Sequence, residues 1–362
     1  MSAKLYVNLN NIKYNIEKIK ENLKENTGII AMVKANAYGA GMLEITKYLE
    51  TLNINDFGVA LVSEGIALRE NGIKSNILVT SQFLEEDVLD VINNNLSVSI
   101  CELELGRKLN KKAKELNKKV RVHVKIDTGM TRLGFNVNDA INNICYIKDN
   151  FTNLVIDGIY THLSSADTNE EYTIMQLEKF DKIYNQLLNL DFKFKYVHVL
   201  NSAGAFLYSK YQYTHVRVGI AMYGYLPDYS LKGKIDLKPS LKLAADIIHI
   251  NDIKEDTSVS YSRTYTAKVN EKIAVVQIGY AVGLPRVLSN KYVTSAGKIV
   301  GNICMDMCMV NLEKDMSIGD EVAIFDYTND LEELSNICNT INYEIISGIG
   351  QRVKRIYITN KK

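Results

Sequence analysis

The chain is poor in the features that would place it outside a cell or in a membrane. Five cysteines in 362 residues are an odd number in a long chain and make no disulfide framework, which predicts a reducing, cytoplasmic setting. No apolar run approaches the roughly 20 residues that cross a bilayer. The first residues are polar and helix-forming, with no basic-then-apolar leader pattern, so no membrane partner is expected. Neither sign of charge is in surplus: 43 basic residues face 42 acidic ones, which removes the electrostatic ground for a nucleic-acid partner. The basic run from Lys108 to Lys119 keeps a helical period and reads as one solvated helix face. Histidine is scarce, and the five present lie far from the neighbouring Cys304 and Cys308, so no metal site is expected. Proline is down to three. Two of them, Pro227 and Pro239, bracket a polar stretch rich in Lys, Gly and Ser that reads as an interdomain linker. The length exceeds ordinary single-core size, and we expect one domain over residues 1–235 and a second over 236–362.

What is present is alternation. Leu9, Ile12, Ile16, Ile19 and Leu23 recur at three- and four-residue steps among Lys, Glu and Asn, the pattern of an amphipathic helix with Asn10 or Asn11 at its cap. Beyond it the strand candidates are Ile29–Val33, Phe57–Leu61, Asn76–Thr80, Ser97–Ile100, Val120–Ile126, Leu154–Tyr160, Tyr196–Leu200 and His215–Val218. Helical patterns fill the gaps, around residues 42–52, 64–71, 85–94, 102–117, 137–148, 170–190 and 202–209. Eight strands separated by helices fit a (β/α)8 TIM barrel or a doubly wound open sheet. The polar residues favour the barrel. Lys34 follows the first strand, Lys125 and Asp127 end the fifth, and His162 ends the sixth. Asn201-Ser202 follow the seventh, and Arg217 with Gly219 follow the eighth. A closed barrel brings all those ends to one face, whereas the edge strands of an open sheet lie too far apart. After the linker, strand-like runs at Leu241–Ile250, Lys272–Ile278, Lys298–Val300, Met307–Leu312 and Glu321–Phe325, joined by glycine turns, surround one helical pattern near 331–339. They predict a smaller, mainly β domain.

The stretch that organises the rest is Ala31-Met-Val-Lys-Ala-Asn-Ala-Tyr-Gly-Ala-Gly41. A β-branched run bounded by Gly28 delivers Lys34 to a strand's carboxyl end, where α/β folds gather their chemistry. A desolvated amine there loses its proton and forms a Schiff base with an aldehyde; a solvated lysine at a strand terminus is the plain alternative. The loops after strands seven and eight offer Asn201-Ser202 at a helix start and Gly219-Ile220 just past a strand, a ready anion site in a barrel. A simple N-cap is the other reading of Ser202.

Eight motifs, in order and through both domains, resemble those of bacterial alanine racemases, which depend on pyridoxal 5'-phosphate. They are Val33-Lys-Ala-Asn-Ala-Tyr-Gly39, Lys125-Ile-Asp-Thr-Gly-Met-Thr-Arg-Leu-Gly134, Gly158-Ile-Tyr-Thr-His-Leu163 and Asn201-Ser-Ala203 in the first part. Val216-Arg-Val-Gly-Ile-Ala-Met-Tyr-Gly224, Val259-Ser-Tyr-Ser-Arg-Thr-Tyr265, Gly301-Asn-Ile-Cys-Met-Asp306 and Ile341-Asn-Tyr-Glu344 complete the set. The resemblance implies a barrel followed by a β domain, in a homodimer whose second domain reaches the partner's site. It implies that Lys34 holds the cofactor and then serves as one acid/base, and that Tyr261 from the partner subunit is the other. Racemisation needs proton exchange on both faces of the α-carbon, hence two groups. Read alone, Tyr261 is a strand aromatic. A phenol titrates at about 10, so neighbouring positive charge has to help it, and His162 and Arg217 are the candidates.

By the same resemblance Arg217 donates to the cofactor's ring nitrogen. Arginine keeps its proton, so that nitrogen stays neutral, which discourages transamination and favours simple return of a proton. Read alone, Arg217 is a strand-end salt bridge. Tyr38, Ser202, Gly219 and Ile220 match the phosphate-binding positions. Arg132 matches a residue that touches the cofactor and the substrate carboxylate, with the Met305 backbone N–H, from the partner subunit, completing carboxylate binding. Lys125 matches a lysine often carbamylated in the family. Three positions depart from the pattern. Gln351 stands where many members carry a tyrosine touching the phosphate, Val282 replaces a common aspartate, and Ala40 replaces a common histidine. Glutamine keeps a hydrogen bond but loses the ring, and that puts a racemase of serine or another small amino acid beside the leading reading. The leading reading is interconversion of L- and D-alanine, supplying D-alanine for cell-wall peptide synthesis. From outside the enzyme class, a non-catalytic pyridoxal-phosphate-binding protein is the rival; proteins of that kind are single barrels without the β domain expected here.

Overall fold

The computed structural model describes residues 3–328 and 331–359. The chain opens with β1 (Lys4–Asn8), which buries Leu5 and Val7 and leaves Lys4, Tyr6 and Asn8 half-exposed. Helix Leu9–Glu21 follows at once. Its cap is Asn8, whose Oδ1 accepts from the N–H groups of Asn10 and Asn11 at 3.0 and 3.1 Å, rather than Asn10 or Asn11 itself. The reason is that Leu9 already belongs to the buried stripe with Ile12, Ile16 and Ile19, so the helix starts two or three residues earlier than a cap at Asn10 or Asn11 allows.

Eight parallel strands then build the barrel: β2 (Gly28–Met32), β3 (Asp56–Val59), β4 (Asn76–Val79), β5 (Ser97–Ile100), β6 (Val120–Asp127) with the two-residue appendage β7 (Phe135–Asn136), β8 (Leu154–Tyr160), β9 (Tyr196–His198) and β10 (His215–Val218). Neighbours run β10-β2-β3-β4-β5-β6-β8-β9. The remaining gap is bridged by the Thr214 N–H to the Val197 carbonyl at 3.2 Å and the Arg217 N–H to the Leu200 carbonyl at 2.9 Å. A ring, and not an open sheet, is the result. Its strands are covered on both faces and therefore read as apolar runs rather than alternations. The surrounding helices each turn an apolar stripe inward; Leu177, Phe180, Ile183 and Leu187 of helix Glu170–Asn189 are one example. Each such side chain contributes about 1.5–3 kcal/mol on burial, which makes the barrel a stiff frame for the residues at its mouth.

The second unit holds β11 (Leu241–Ile253), β12 (Ser258–Val259), β13 (Tyr265–Thr266), β14 (Glu271–Val276), β15 (Cys308–Asn311), β16 (Glu321–Phe325) and β17 (Lys354–Ile358). Its main sheet runs β15-β14-β11-β1-β17, with β16 also on β11. The first strand of the chain thus lies in the last sheet, antiparallel to β11 and parallel to β17. Lys4 pairs with Asp246 at 2.7 Å and Tyr6 donates to Glu321 at 2.6 Å, fixing it there. The short run at 298–300 makes only isolated bridges, Lys298 with Val293 and Ile299 with Val310. Where one helix was expected there are two, Leu331–Ile337 and Asn342–Ser347, and the second of these reaches the barrel mouth. Among the described residues no helix is long and apolar enough to cross a membrane.

Candidate active site

Lys34 leaves the end of β2 on a backbone that an ordinary helix former would not adopt. Ala35, Asn36, Ala37 and Tyr38 hold φ values of 50°, 53°, 54° and 54° before Gly39 at 85°. Left-handed turns cost about 1–2 kcal/mol per non-glycine residue, so something must impose this one. Glu64 does much of it: one carboxylate oxygen accepts from the Ala35 N–H at 2.7 Å, the other from Ala60 and Leu61 at 2.8 and 3.1 Å. Asn36 Oδ1 accepts from Met42 N–H at 2.9 Å, and Tyr357 and Arg355 donate to the carbonyls of Ala40 and Gly39 at 3.0 Å each. The turn pins the lysine at the mouth of a cavity of about 450 Å³. Burial first, then Arg132 and Arg217, lowers the Lys34 pKa, with Glu64 opposing. A lysine so placed is prepared to give up its proton to an aldehyde condensation.

Across the cavity stands Arg217, at the end of β10 and 4% exposed. Its guanidinium donates to the carbonyls of His198 (2.6 Å), Thr161 (2.7 Å) and Val199 (3.3 Å), and meets the Nδ1 atoms of His198 (2.8 Å) and His162 (3.2 Å). None of these partners is a carboxylate, so the salt-bridge reading does not hold. Burial lowers its pKa to about 10, which still leaves it charged at neutral pH. Because arginine only donates, His198 must accept at Nδ1 and carry its proton on Nε2. That proton faces His123 Nδ1 at 2.8 Å. Both imidazoles are buried and held below their ordinary pKa by that burial and by Arg217, so the relay is a neutral strut behind the guanidinium. His162 is also kept neutral, by burial and by the arginines beside it.

Lys125, at the end of β6, is 5% exposed with its ammonium 5.5 Å from the centre of the Tyr160 ring. Desolvation, with Arg217 and Arg132 adding to it and Cys101 opposing, lowers its pKa to about 8. Arg132 faces the same space from the loop after β6, where Asp127 Oδ1 accepts from the Gly129 and Thr131 N–H groups at 2.9 and 3.0 Å and holds the turn. At the opposite end Asn201, not Ser202, caps helix Ser202–Leu207, accepting from Gly204 N–H at 2.9 Å. That frees the Ser202 hydroxyl, which accepts from Gly219 N–H at 3.0 Å and keeps its own proton to donate. Gly219 must be glycine: a Cβ would lie 2.2 Å from the Tyr38 hydroxyl.

Nine of the residues expected at the site therefore line one cavity: Lys34, Tyr38, Lys125, Arg132, His162, Ser202, Arg217, Gly219 and Ile220. Tyr261, Met305 and Gln351 do not line it within this chain. Tyr261 sits in a turn between β12 and β13 rather than inside a strand, 69% exposed, and Met305 is 54% exposed. Sequence reasoning missed Tyr343 and Ser347, which helix Asn342–Ser347 brings to the cavity wall, with Tyr343 6.1 Å from Tyr38 between ring centres. The signal was there in the motif Ile341-Asn-Tyr-Glu344, but nothing local says which way its helix faces. Of the departures, Val282 and Ala40 are both buried, where an apolar side chain needs no hydrogen-bond partner.

Residues 7–227 match the alanine racemase N-terminal domain, and residues 240–357 match the alanine racemase C-terminal domain. The chain belongs to the alanine racemase family. An alanine racemase of Fusobacterium nucleatum is 39% identical over 99% of this chain and 100% of its own length. One of Methanococcus maripaludis is 35% identical over 97% of both. Among solved structures, alanine racemase of Clostridium difficile 630 superposes with a TM-score of 0.95 at 35% identity, covering 100% of this chain and 97% of the other. The Bacillus anthracis alanine racemase with bound L-Ala-P gives 0.92 at 30% identity, covering 100% and 96%. Alanine racemases depend on pyridoxal 5'-phosphate, and the cavity fits that group. It offers a desolvated lysine for the aldehyde, a donor-only arginine for the ring nitrogen, and a glycine-floored cradle with neutral hydroxyls for the phosphate.

Proposed function

We infer that this chain interconverts L- and D-alanine with pyridoxal 5'-phosphate, as a cytoplasmic homodimer supplying D-alanine for cell-wall peptide synthesis. The observation that carries the reading is the pairing of a desolvated Lys34 with an Arg217 held only by carbonyls and imidazoles, in a chain that matches its family end to end. When bound, pyridoxal phosphate supplies an aldehyde for the amino group and a conjugated ring that acidifies the α-proton. The chain supplies the rest. Lys34 holds the cofactor and then exchanges a proton on one face of the α-carbon. Arg217 cannot surrender its proton at working pH, which keeps the ring a moderate electron acceptor and favours return of the proton to the same carbon. Arg132 takes the substrate carboxylate, and the Ser202 and Tyr38 hydroxyls with the Ile220 N–H take the phosphate over the Gly219 floor, whose own N–H holds the Ser202 oxygen. Tyr261 and the Met305 N–H come from the partner subunit, Tyr261 to exchange the proton on the other face; their exposure within a single chain supports that assignment.

Steady-state racemisation followed by chiral chromatography tests the substrate. A hydroxyl added to a small side chain is rejected only weakly by shape alone, so kcat/KM for alanine is expected to exceed that for serine by about 10- to 100-fold. The alanine assignment is lost if serine has the higher value.

Lys125 is read as carbamylated. A pKa near 8 leaves part of the amine neutral and able to add carbon dioxide, and the product anion would meet Arg132 as a charge-assisted partner in place of a like charge. Holoenzyme equilibrated with carbon-13 bicarbonate should show one slow-exchanging carbamate resonance that Lys125→Ala lacks, and KM for alanine should rise about tenfold in that variant as Arg132 loses its brace. A spectrum without the resonance would remove the modification from the reading.

A further inference from the structure

We propose that Asn302 is a positioning residue for Tyr261, fixing the backbone that aims the phenol and so setting the rate of proton exchange on the face Tyr261 serves. This role rests on Tyr261 being the second base, as inferred above. Tyr261 lies in a turn of which three residues hold positive φ: Ser260 at 66°, Ser262 at 62° and Arg263 at 50°. Ser260, with ψ at −176°, occupies a region nearly confined to glycine. Backbone strain of this kind persists only where neighbours over-determine it. The neighbour is the loop that carries Met305. Ser260 Oγ donates to the Asn302 carbonyl at 2.5 Å, and Asn302 Nδ2 donates to the Tyr261 carbonyl at 2.8 Å. One residue therefore grips the chain on both sides of the Tyr261 α-carbon.

The approach is close enough to need Gly301, whose φ is +72° and where a Cβ would meet Ser260 Cβ at 2.6 Å and the Val259 carbonyl at 2.8 Å. Asn290 adds a second link, accepting from Gly301 N–H at 2.6 Å and donating to Thr264 Oγ1 at 3.2 Å. The Met305 carbonyl in turn accepts from Ala281 N–H at 2.9 Å. The phenol and the Met305 loop thus form one rigid tip projecting from the second unit, although neither side chain packs into a core of its own chain. Rigidity at an exposed tip has no evident use for the fold. It does serve a reaction in which two bases must stay on opposite faces of one carbon.

The test uses the holoenzymes of Asn302→Ala and Ser260→Ala, each removing one half of the grip. In both, kcat should fall about 10- to 100-fold, the scale of a misplacement of about an ångström, with KM for alanine little changed and the thermal midpoint within about 4 °C of wild type. The α-deuterium isotope effect should rise for one enantiomer only, because a single direction draws its proton with Tyr261. Hydrogen exchange of the amides in 258–266 should accelerate about tenfold. An unchanged kcat, or a fall in which the two isotope effects move together, overturns the proposal. Tyr261→Phe separates the two levels. Should it racemise at the wild-type rate, the reading of Tyr261 fails; should it be inactive while Asn302→Ala is unimpaired, only the positioning role fails.

Discussion

Lys34→Ala is expected to lose racemisation by about 10⁴-fold or more, the scale seen when a residue that is both nucleophile and base is removed. It is also expected to lose pyridoxal phosphate on dialysis under conditions in which the wild type is expected to keep it. The two losses have one cause, since the same amine holds the cofactor and moves the proton. Lys34→Arg should fare no better: its guanidinium cannot shed a proton even where burial and two neighbouring arginines press for it. A small primary amine added to Lys34→Ala should restore part of the activity, because the strained turn 35–38 is held from outside by Glu64, Met42 and Tyr357 and leaves a lysine-shaped gap behind. Wild-type activity in Lys34→Ala would remove the lysine from the chemistry altogether.

The barrel was legible because its strands are covered on both faces, so each reads as a short β-branched run, and because polar residues recur at one end of those runs. Lys125, Asn201 and Arg217 mark that end. β1 was not legible. Five residues with two apolar positions carry too little pattern, and its partners, β11 and β17, lie more than two hundred residues away in sequence. The left-handed turn after Lys34 was hidden for another reason. Alanine and tyrosine have no preference for positive φ, so the conformation is written in Glu64, Arg355 and Tyr357, residues that are neighbours only once the chain is folded. Tyr343 belongs to the same class: its motif was visible, but the direction of its six-residue helix depends on how the second unit meets the barrel.

The inferred dimer implies a counterpart of that meeting between subunits, and mixed variants test it. Alone, Lys34→Ala and Tyr261→Phe should each be inactive to within about 10⁻³ of wild type, since racemisation needs a proton carrier on either face. Mixed in equal amounts, unfolded and refolded together, they should recover about one quarter of the wild-type activity per chain, as an isologous two-fold dimer requires. Random association makes half of the dimers mixed. In each mixed dimer one site joins the intact Lys34 of one chain to the intact Tyr261 of the other, while the second site has neither. Half of the dimers with one of two sites working gives the quarter. If both residues served the same chain's cavity, every site in the mixture would carry one defect and no activity would return. Recovered activity would agree with the phenol's exposure and with its place outside its own chain's cavity.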